Sequence, residues 1–142
     1  RRSGATHFIN PQPQSGDFVE QLRALTHGGV DYSFECVGST KLMVHALECT
    51  HPGWGVCTTL GVPPDGEKLP ILPFELQLGR TLKGSFLGNV KTRSQLPGLL
   101  DLYAEGQINL DDLVTHRLPV ERINEGFDLL REGRSVRTVV TF

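Results

Sequence analysis

A run of uncharged residues at 56–60 (VCTTL) lies near the middle of the chain and has the pattern of a buried strand. Each of its residues is apolar, β-branched or small, which is typical of a strand buried on both faces of a parallel sheet. Gly61 ends the run, and Pro63 and Pro64 cannot extend a β-ladder because proline has no N–H group to donate. The pattern therefore predicts a central strand in a sheet that has helices on both sides.

The rest of the hydrophobic pattern predicts strands and helices in alternation. Helices are predicted where apolar side chains recur every three or four positions. The central strand extends over 54–60, and further strands are predicted at residues 5–9, 30–37, 80–87, 114–118 and 137–142. The order strand, helix, strand, helix, strand indicates right-handed parallel crossovers, and therefore an α/β fold.

The predicted helices have recognisable caps and inward faces. Ser15 or Asp17 can cap the first helix and Ser39 or Thr40 the second, because their side-chain oxygens can accept hydrogen bonds from the first turn. The side chains expected to face inward are, helix by helix, Phe18, Leu22 and Leu25; Leu42, Met43, Ala46 and Leu47; Leu96, Leu99, Leu100 and Tyr103; and Ile123, Phe127 and Leu130.

Composition restricts the classes of partner. The chain has 142 residues, of which 38% are hydrophobic and 21% charged, and its net charge is −2. This near-neutral charge gives no footprint for nucleic acid, and no apolar run reaches the roughly 18 residues that cross a bilayer. Cys36, Cys49 and Cys57 are odd in number and lack C-x-x-C spacing, so we expect free thiols and a cytoplasmic protein. Cys36 and Cys57 are expected to be buried within strands.

The end of the central strand is the first candidate for a binding site. In open parallel sheets, ligands bind just beyond the carboxyl ends of the strands. Leu60, Gly61 and Val62 occupy that position. A plain turn after a core strand is the other interpretation, and from the residues alone the two are equally supported.

Several features of a complete dinucleotide-binding fold are absent from the sequence. Such a fold normally begins with a strand, a G-x-G-x-x-G turn and an acidic residue about 20 positions further on. None of these is present, and the first predicted strand would be the third of such a sheet. A half-sheet exposes an apolar edge. We therefore expect these 142 residues to be the C-terminal part of a longer chain.

The histidines show no spacing typical of a metal site. His45 and Cys49 form an i, i+4 pair, but two ligands do not make a zinc site. We therefore expect no metal ion bound to this chain. The five histidines are His7, His27, His45, His51 and His116.

Four motifs occur along the chain in a recognisable order. They are 29–38 (GVDYSFECVG), 61–64 (GVPP), 79–84 (GRTLKG) and 123–130 (INEGFDLL), and the chain ends in 135–142 (SVRTVVTF). Together the motifs and this ending resemble the zinc-dependent medium-chain alcohol dehydrogenases. Residues 32, 35–36, 54–56 and 105–109 look most like the class III branch of that family, the glutathione-dependent formaldehyde dehydrogenases.

The resemblance implies a fold, an activity and a division of the chain. Residues 1–86 would be the latter part of an NAD-binding Rossmann domain, and residues 87–142 a segment that returns to a GroES-like catalytic domain. The full-length protein would oxidise an alcohol, S-(hydroxymethyl)glutathione among the candidates, by hydride transfer to NAD. Its zinc ligands and catalytic residues would lie upstream, so that this chain alone is expected to be inactive. A homodimer pairing through the strand near residues 81–86 is also implied.

The resemblance also implies cofactor-binding residues in this chain. Leu60, Gly61 and Val62 match the segment beside the nicotinamide, and glycine is expected there because it lets the cofactor approach without a Cβ in the way. The strand end that holds the carboxamide is matched by Ser85, Phe86 and Leu87, with Phe86 near the substrate. Val37 matches an apolar residue on the adenine side, although core packing is an alternative for it. Arg137 matches an arginine that reaches the pyrophosphate, for which a guanidinium is well suited.

Two other functions remain open from the sequence. One is a non-catalytic α/β module that pairs through its exposed sheet edge. The other is a reductase of the same superfamily that uses NADP and no zinc. The choice between NAD and NADP depends on an acidic residue that this sequence does not contain.

Overall fold

The computed structural model describes residues 4–10 and 17–142 and divides the chain into two compact units. The first unit ends at Asn89 and the second spans Val90–Phe142. Each unit contains parallel strands together with helices, which confirms the predicted α/β class. Among the described residues, no helix is both long and apolar enough to cross a membrane.

The first unit is built on a parallel sheet of three strands. These are β1 (Tyr32–Glu35), β2 (Val56–Thr59) and β3 (Thr81–Gly84), in the order β1-β2-β3. The last residues of the three strands are in register, with Glu35 opposite Thr59 and Thr59 opposite Gly84. Because β2 lies between two partners and its Cys57 and Thr58 are buried, the prediction of a central strand is confirmed.

Three helices accompany this sheet, α1 (Phe18–Leu25), α2 (Thr40–Glu48) and α3 (Pro73–Gln77). Asp17 caps α1 by accepting hydrogen bonds from two backbone N–H groups, and the Ser39 hydroxyl caps α2 by accepting from Leu42. Of the predicted caps, Ser15 lies outside the described residues. Met43 and Leu47 of α2 are buried as predicted, so this helix supplies part of the core.

The second unit contains two parallel strands and two longer helices. These are α4 (Thr92–Ala104), β4 (Val114–Pro119), α5 (Ile123–Arg131) and β5 (Arg137–Thr141), with β4 paired to β5. Its core is formed by Leu118, Gly126 and Leu129. A side chain at position 126 would come within 3.3 Å of the Thr138 Cγ2 atom, so glycine allows α5 to lie close to β5.

Two of the predicted strands differ in the structure. Residues 5–9 form no strand, because none of the described strands pairs with them and a strand needs a neighbour for its backbone hydrogen bonds. The strand predicted over 80–87 ends at Gly84, where a tight turn begins. Cys36 is exposed rather than buried, because β1 ends at the preceding residue.

The predicted inward faces of three helices are also wrong in part. On α1 the buried residue is Val19, and Leu25 is exposed. The predicted inward residues of α4 and α5 are between 37% and 61% exposed. A helical apolar face is buried only if another element packs on it, and within the second unit these two faces are only partly covered. They are Leu96, Leu99, Leu100 and Tyr103 on α4, and Ile123, Phe127 and Leu130 on α5.

Candidate functional site

The carboxyl ends of β2 and β3 open into a cleft of about 580 Å³. The two segments predicted to hold the nicotinamide end of a cofactor both line this cleft. Their residues are Leu60, Gly61, Val62, Ser85, Phe86 and Leu87. They come from segments 23 or more positions apart in the sequence, and it is the parallel pairing of β2 with β3 that places them side by side.

The cleft is lined by apolar side chains that are exposed to solvent. Val62 is 87% exposed and Phe86 84%, and Leu60 and Leu87 are also exposed. Large apolar side chains that cluster in a concave surface indicate a binding site, whereas single exposed apolar side chains do not. The arrangement suits a flat, weakly polar ring packed against Val62.

The turn after β3 presents Phe86 and Leu87 to the cleft. The Ser85 N–H donates to the Thr59 carbonyl at 3.0 Å, which extends the β2–β3 pairing by one step. The chain then adopts positive φ at Leu87 (48°), Gly88 (70°) and Asn89 (54°). Left-handed backbone is uncommon for residues other than glycine and is costly for a large side chain such as leucine. This conformation turns the chain sharply at the sheet edge.

The segment after β2 is held by the end of β1. The N–H groups of Leu60 and Gly61 both donate to the Glu35 carbonyl, at 2.8 and 3.0 Å. A Cβ at position 61 would lie 2.6 Å from the Gly38 Cα and 2.7 Å from Glu35 Oε2. The expected reason for this glycine is therefore corrected: the space that a side chain would need is filled by neighbouring protein atoms, not left clear for a cofactor.

Glu35 is a buried charged residue at this edge that sequence reasoning did not place in the site. It is the last residue of β1, and it is only 4% exposed. Oε1 accepts hydrogen bonds from the N–H groups of Val37 and Gly38, at 2.9 and 2.8 Å, and a longer one from Ser39 at 3.4 Å. A carboxylate at the end of a buried strand, three positions before a glycine, was the available signal.

Val37 and Arg137 lie outside this cleft. Val37 is exposed, not packed in a core, and lines a separate cavity of about 310 Å³ beside α1, β1 and α2. Arg137 begins β5 in the second unit, where it lines a cavity of about 260 Å³ with apolar residues of α5. Within the described residues its guanidinium makes no hydrogen bond or ion pair, so it is available to bind an anion.

The two buried thiols of the first unit are unreactive near neutral pH. Burial raises the pKa of the Cys49 thiol to about 11, and burial likewise raises the pKa of Cys57. Thiols of this kind stay protonated near neutral pH and are poor nucleophiles and poor metal ligands. Among residues 4–10 and 17–142, no group of three or more His, Cys, Asp or Glu side chains could hold a metal ion. The described residues therefore do not fit a zinc site, and no zinc-dependent step can be derived from them.

Comparison with known proteins adds the family. Residues 1–105 match the family model described as zinc-binding dehydrogenase. The chain is 47% identical over 140 residues to alcohol dehydrogenase class-3 of Dictyostelium discoideum, covering 96% of the chain and 37% of that protein. It is 43% identical over 145 residues to S-(hydroxymethyl)glutathione dehydrogenase of Paracoccus denitrificans, covering 98% and 38%.

A solved structure gives the same result for the fold. Benzyl alcohol dehydrogenase from Acinetobacter calcoaceticus superposes with a TM-score of 0.87 at 27% identity, over 98% of this chain and 38% of the other. The chain thus spans well under half the length of the relatives that it matches. Together, the family model, the relatives and the shared fold establish that this chain belongs to the zinc-binding dehydrogenase family.

Proposed function

We propose that this chain forms part of the cofactor site of a longer enzyme, a zinc-dependent alcohol dehydrogenase that uses NAD. The observation that carries the proposal is the apolar cleft at the carboxyl ends of β2 and β3, in a chain of this family. We propose S-(hydroxymethyl)glutathione as the substrate, because the similar proteins include an S-(hydroxymethyl)glutathione dehydrogenase and an alcohol dehydrogenase class-3. Such an enzyme would carry its zinc ligands outside this chain.

The residues of the cleft would bind and orient the nicotinamide. Val62 offers an exposed, β-branched surface for one face of the ring, and a stiff side chain holds that surface in place. Backbone groups of the segments 60–62 and 85–87 would hold the carboxamide. Phe86 would lie on the substrate side and exclude water from the reacting carbon. NAD, when bound, would accept a hydride from the alcohol carbon.

Other parts of the chain would complete the cofactor site. Arg137 would bind the pyrophosphate, since its guanidinium carries a permanent charge and forks toward two oxygens. Val37, which is exposed at the end of β1, would contact the adenine side. Residues 1–86 would belong to the NAD-binding Rossmann domain and residues 87–142 to the catalytic domain. The boundary between the two compact units after Asn89 supports this division.

The assembly and location of the enzyme are further parts of the proposal. We expect a homodimer in which β3 pairs with its two-fold copy, because among the described strands β3 has a neighbour on one side only. Among the described residues the cysteines are free, and Cys36 is exposed, which suits a reducing cytoplasm.

Titration of the longer enzyme with NAD tests the site. Val62→Asp places a charge against the proposed ring position and should weaken NAD binding by about tenfold or more, a change of roughly 1.4 kcal/mol. Lys68→Ala is the matched control, because it changes the net charge equally in the same exposed loop but outside the cleft. NAD affinity unchanged by Val62→Asp would remove Val62 from the site.

Three further measurements test Arg137, the choice of cofactor and the choice of substrate. Arg137→Ala should weaken NAD binding by about 1.5–3 kcal/mol, the range for a hydrogen bond to a charged group. Titration with NADP is done in parallel, and tighter binding of NADP than of NAD would indicate the zinc-independent reductase. Activity with S-(hydroxymethyl)glutathione and with benzyl alcohol then distinguishes the two substrates named by the relatives. An unmodified enzyme that binds neither cofactor would overturn the proposed function.

A further inference from the structure

We propose that Glu35 is a positioning residue, which fixes the floor of the cofactor cleft by tying the ends of β1 and β2 together. The inference rests on the proposed function for its link to NAD, but the geometric part stands on contacts within the first unit. Glu35 itself does not line the cleft. Its effect on a ligand would pass through Gly38, Gly61 and Val62.

The Glu35 carboxylate organises the chain that follows β1. Oε1 accepts from the N–H groups of Val37 and Gly38 within 2.9 Å, and less closely from Ser39. Hydrogen bonds to a carboxylate are about twice as strong as those between neutral groups. Ser39 also caps α2, so that the same few residues join β1 to the start of this helix, where the helix dipole favours a negative charge.

The backbone of Glu35 holds the chain that follows β2. Its carbonyl accepts from both Leu60 and Gly61, the two residues that enter the cleft. One residue therefore contacts both strand ends, by its side chain on one and by its main chain on the other. These two segments would otherwise be joined only by packing.

These two segments pack so closely that neither glycine has space for a side chain. A Cβ on Gly38 would meet the Val62 backbone, with the carbonyl carbon at 2.7 Å and the nitrogen at 2.9 Å. A Cβ on Gly61 would in turn lie 2.6 Å from the Gly38 Cα and 2.7 Å from Glu35 Oε2. A shift of the Gly38 segment is therefore transmitted to Val62. The position of Val62 in the cleft thus depends on the hydrogen bonds that the carboxylate accepts.

The Glu35 side chain lies against both segments. Oε1 accepts from the three backbone N–H groups of residues 37–39, and among the described residues no cation pairs with the carboxylate. Oε2 is buried and lies 2.7 Å from the position that a Cβ on Gly61 would occupy. This is the geometry required of a residue that fixes the two segments relative to each other.

The test compares variants at the two ends of β1 in the longer enzyme. Glu35→Ala removes the carboxylate at the carboxyl end. Asp31→Ala removes a carboxylate at the amino end, where Asp31 Oδ1 accepts from the Trp54 indole at 2.7 Å. Glu35→Gln retains an acceptor oxygen of the same reach, and Glu35→Asp retains the charge but shortens the side chain.

Backbone hydrogen exchange, measured by mass spectrometry, tests in the absence of cofactor whether Glu35 holds the two segments together. Glu35→Ala should raise the exchange rates of the segment 37–39 by about tenfold or more and should also raise those of 60–62, whereas Asp31→Ala should change neither. Glu35→Gln should restore protection more fully than Glu35→Asp. Equal exchange in Glu35→Ala and the unmodified enzyme would overturn the inference.

NAD affinity tests whether a change at Glu35 alters binding in the cleft. We expect Glu35→Ala to weaken NAD binding by about tenfold, Glu35→Gln by less than about threefold, and Asp31→Ala not at all. If Glu35→Ala does not fold, the order of Gln and Asp decides: tighter binding by the Asp variant would show a purely electrostatic role and overturn the inference. Failure of the unmodified enzyme to bind NAD would instead refute the proposed function, while the exchange data still test the tie.

Discussion

The two ends of the parallel sheet in the first unit are fixed by buried charges in different ways. At the amino end, Arg80 precedes β3, is almost wholly buried and forms an ion pair with Glu75 at 2.6 Å. At the carboxyl end, Glu35 ends β1 and is held only by backbone N–H groups among the described residues. The first charge is neutralised by an ion-pair partner, whereas the described residues supply no cation beside the second.

The contacts of Arg80 show what the amino end is built for. Its Nε donates to the Thr50 carbonyl at 3.0 Å, and one terminal nitrogen reaches the Glu48 carbonyl at 3.5 Å. Arg23 donates to the same Glu48 carbonyl, at 2.7 Å. These donors satisfy the carbonyl groups left free at the end of α2, where a positive charge is also favoured by the helix dipole. We call this the closed end, because its buried polar groups are paired within the protein, and its contacts stabilise the fold.

The carboxyl end has the opposite character. Its strand ends are tied to one another, but the apolar side chains beyond them are open to solvent. Ordered backbone beneath exposed apolar surface is the arrangement that a preformed ligand site requires. In this sheet, therefore, one end contributes to stability and the other to binding, and each has a buried charged residue.

The largest expected effect comes from breaking the closed end. Arg80→Ala leaves Glu75 and the Thr50 carbonyl without their donor, whereas the Glu48 carbonyl keeps Arg23. Removing one member of a buried ion pair costs about 3–5 kcal/mol. Urea unfolding of the longer enzyme measures the loss. The control is Arg131→Ala, which breaks an exposed ion pair with Asp128 and should cost less than about 1 kcal/mol. Similar losses in both variants would show that burial does not distinguish them.

A smaller effect is expected from crowding the open end. Gly61→Ala forces a side chain against Gly38 and should cost about 1–3 kcal/mol of stability, with weaker NAD binding, because the backbone beneath Val62 must move. Gly98→Ala is the control, since a Cβ there meets nothing within 4 Å and alanine favours the helix. A Gly61→Ala enzyme with normal stability and affinity would contradict the close packing of the two strand ends.

The smallest effect concerns the buried thiol near the closed end. Burial raises the pKa of Cys49 from 9.0 to about 11, so the folded chain keeps a proton that the unfolded chain releases. The stability from this group is fully present below pH 9 and is lost as the pH rises toward 11. Unfolding midpoints measured on either side of pH 9 should therefore fall with pH, and less steeply in Cys49→Ala. Identical slopes in the two proteins would remove Cys49 as the cause.

Local chemistry in the sequence was sufficient for a defined part of this protein. The uncharged run after Trp54 predicted the central strand, and Asp17 and Ser39 predicted helix starts, because strand burial and capping depend on residues close in the chain. The order of elements predicted the α/β class for the same reason. Motif resemblance then identified the family, which the comparisons confirm.

The burial of helix faces and the need for particular residues depend on contacts between segments that are distant in the sequence. The apolar faces of α4 and α5 have helical periodicity, but burial depends on what packs on them, and no local pattern contains that information. Gly61 was predicted to make room for a ligand, whereas its neighbour in space is Gly38, 23 residues earlier in the sequence. Glu35 likewise acquires its role from strand pairing, because its hydrogen bonds join segments that the sequence keeps apart.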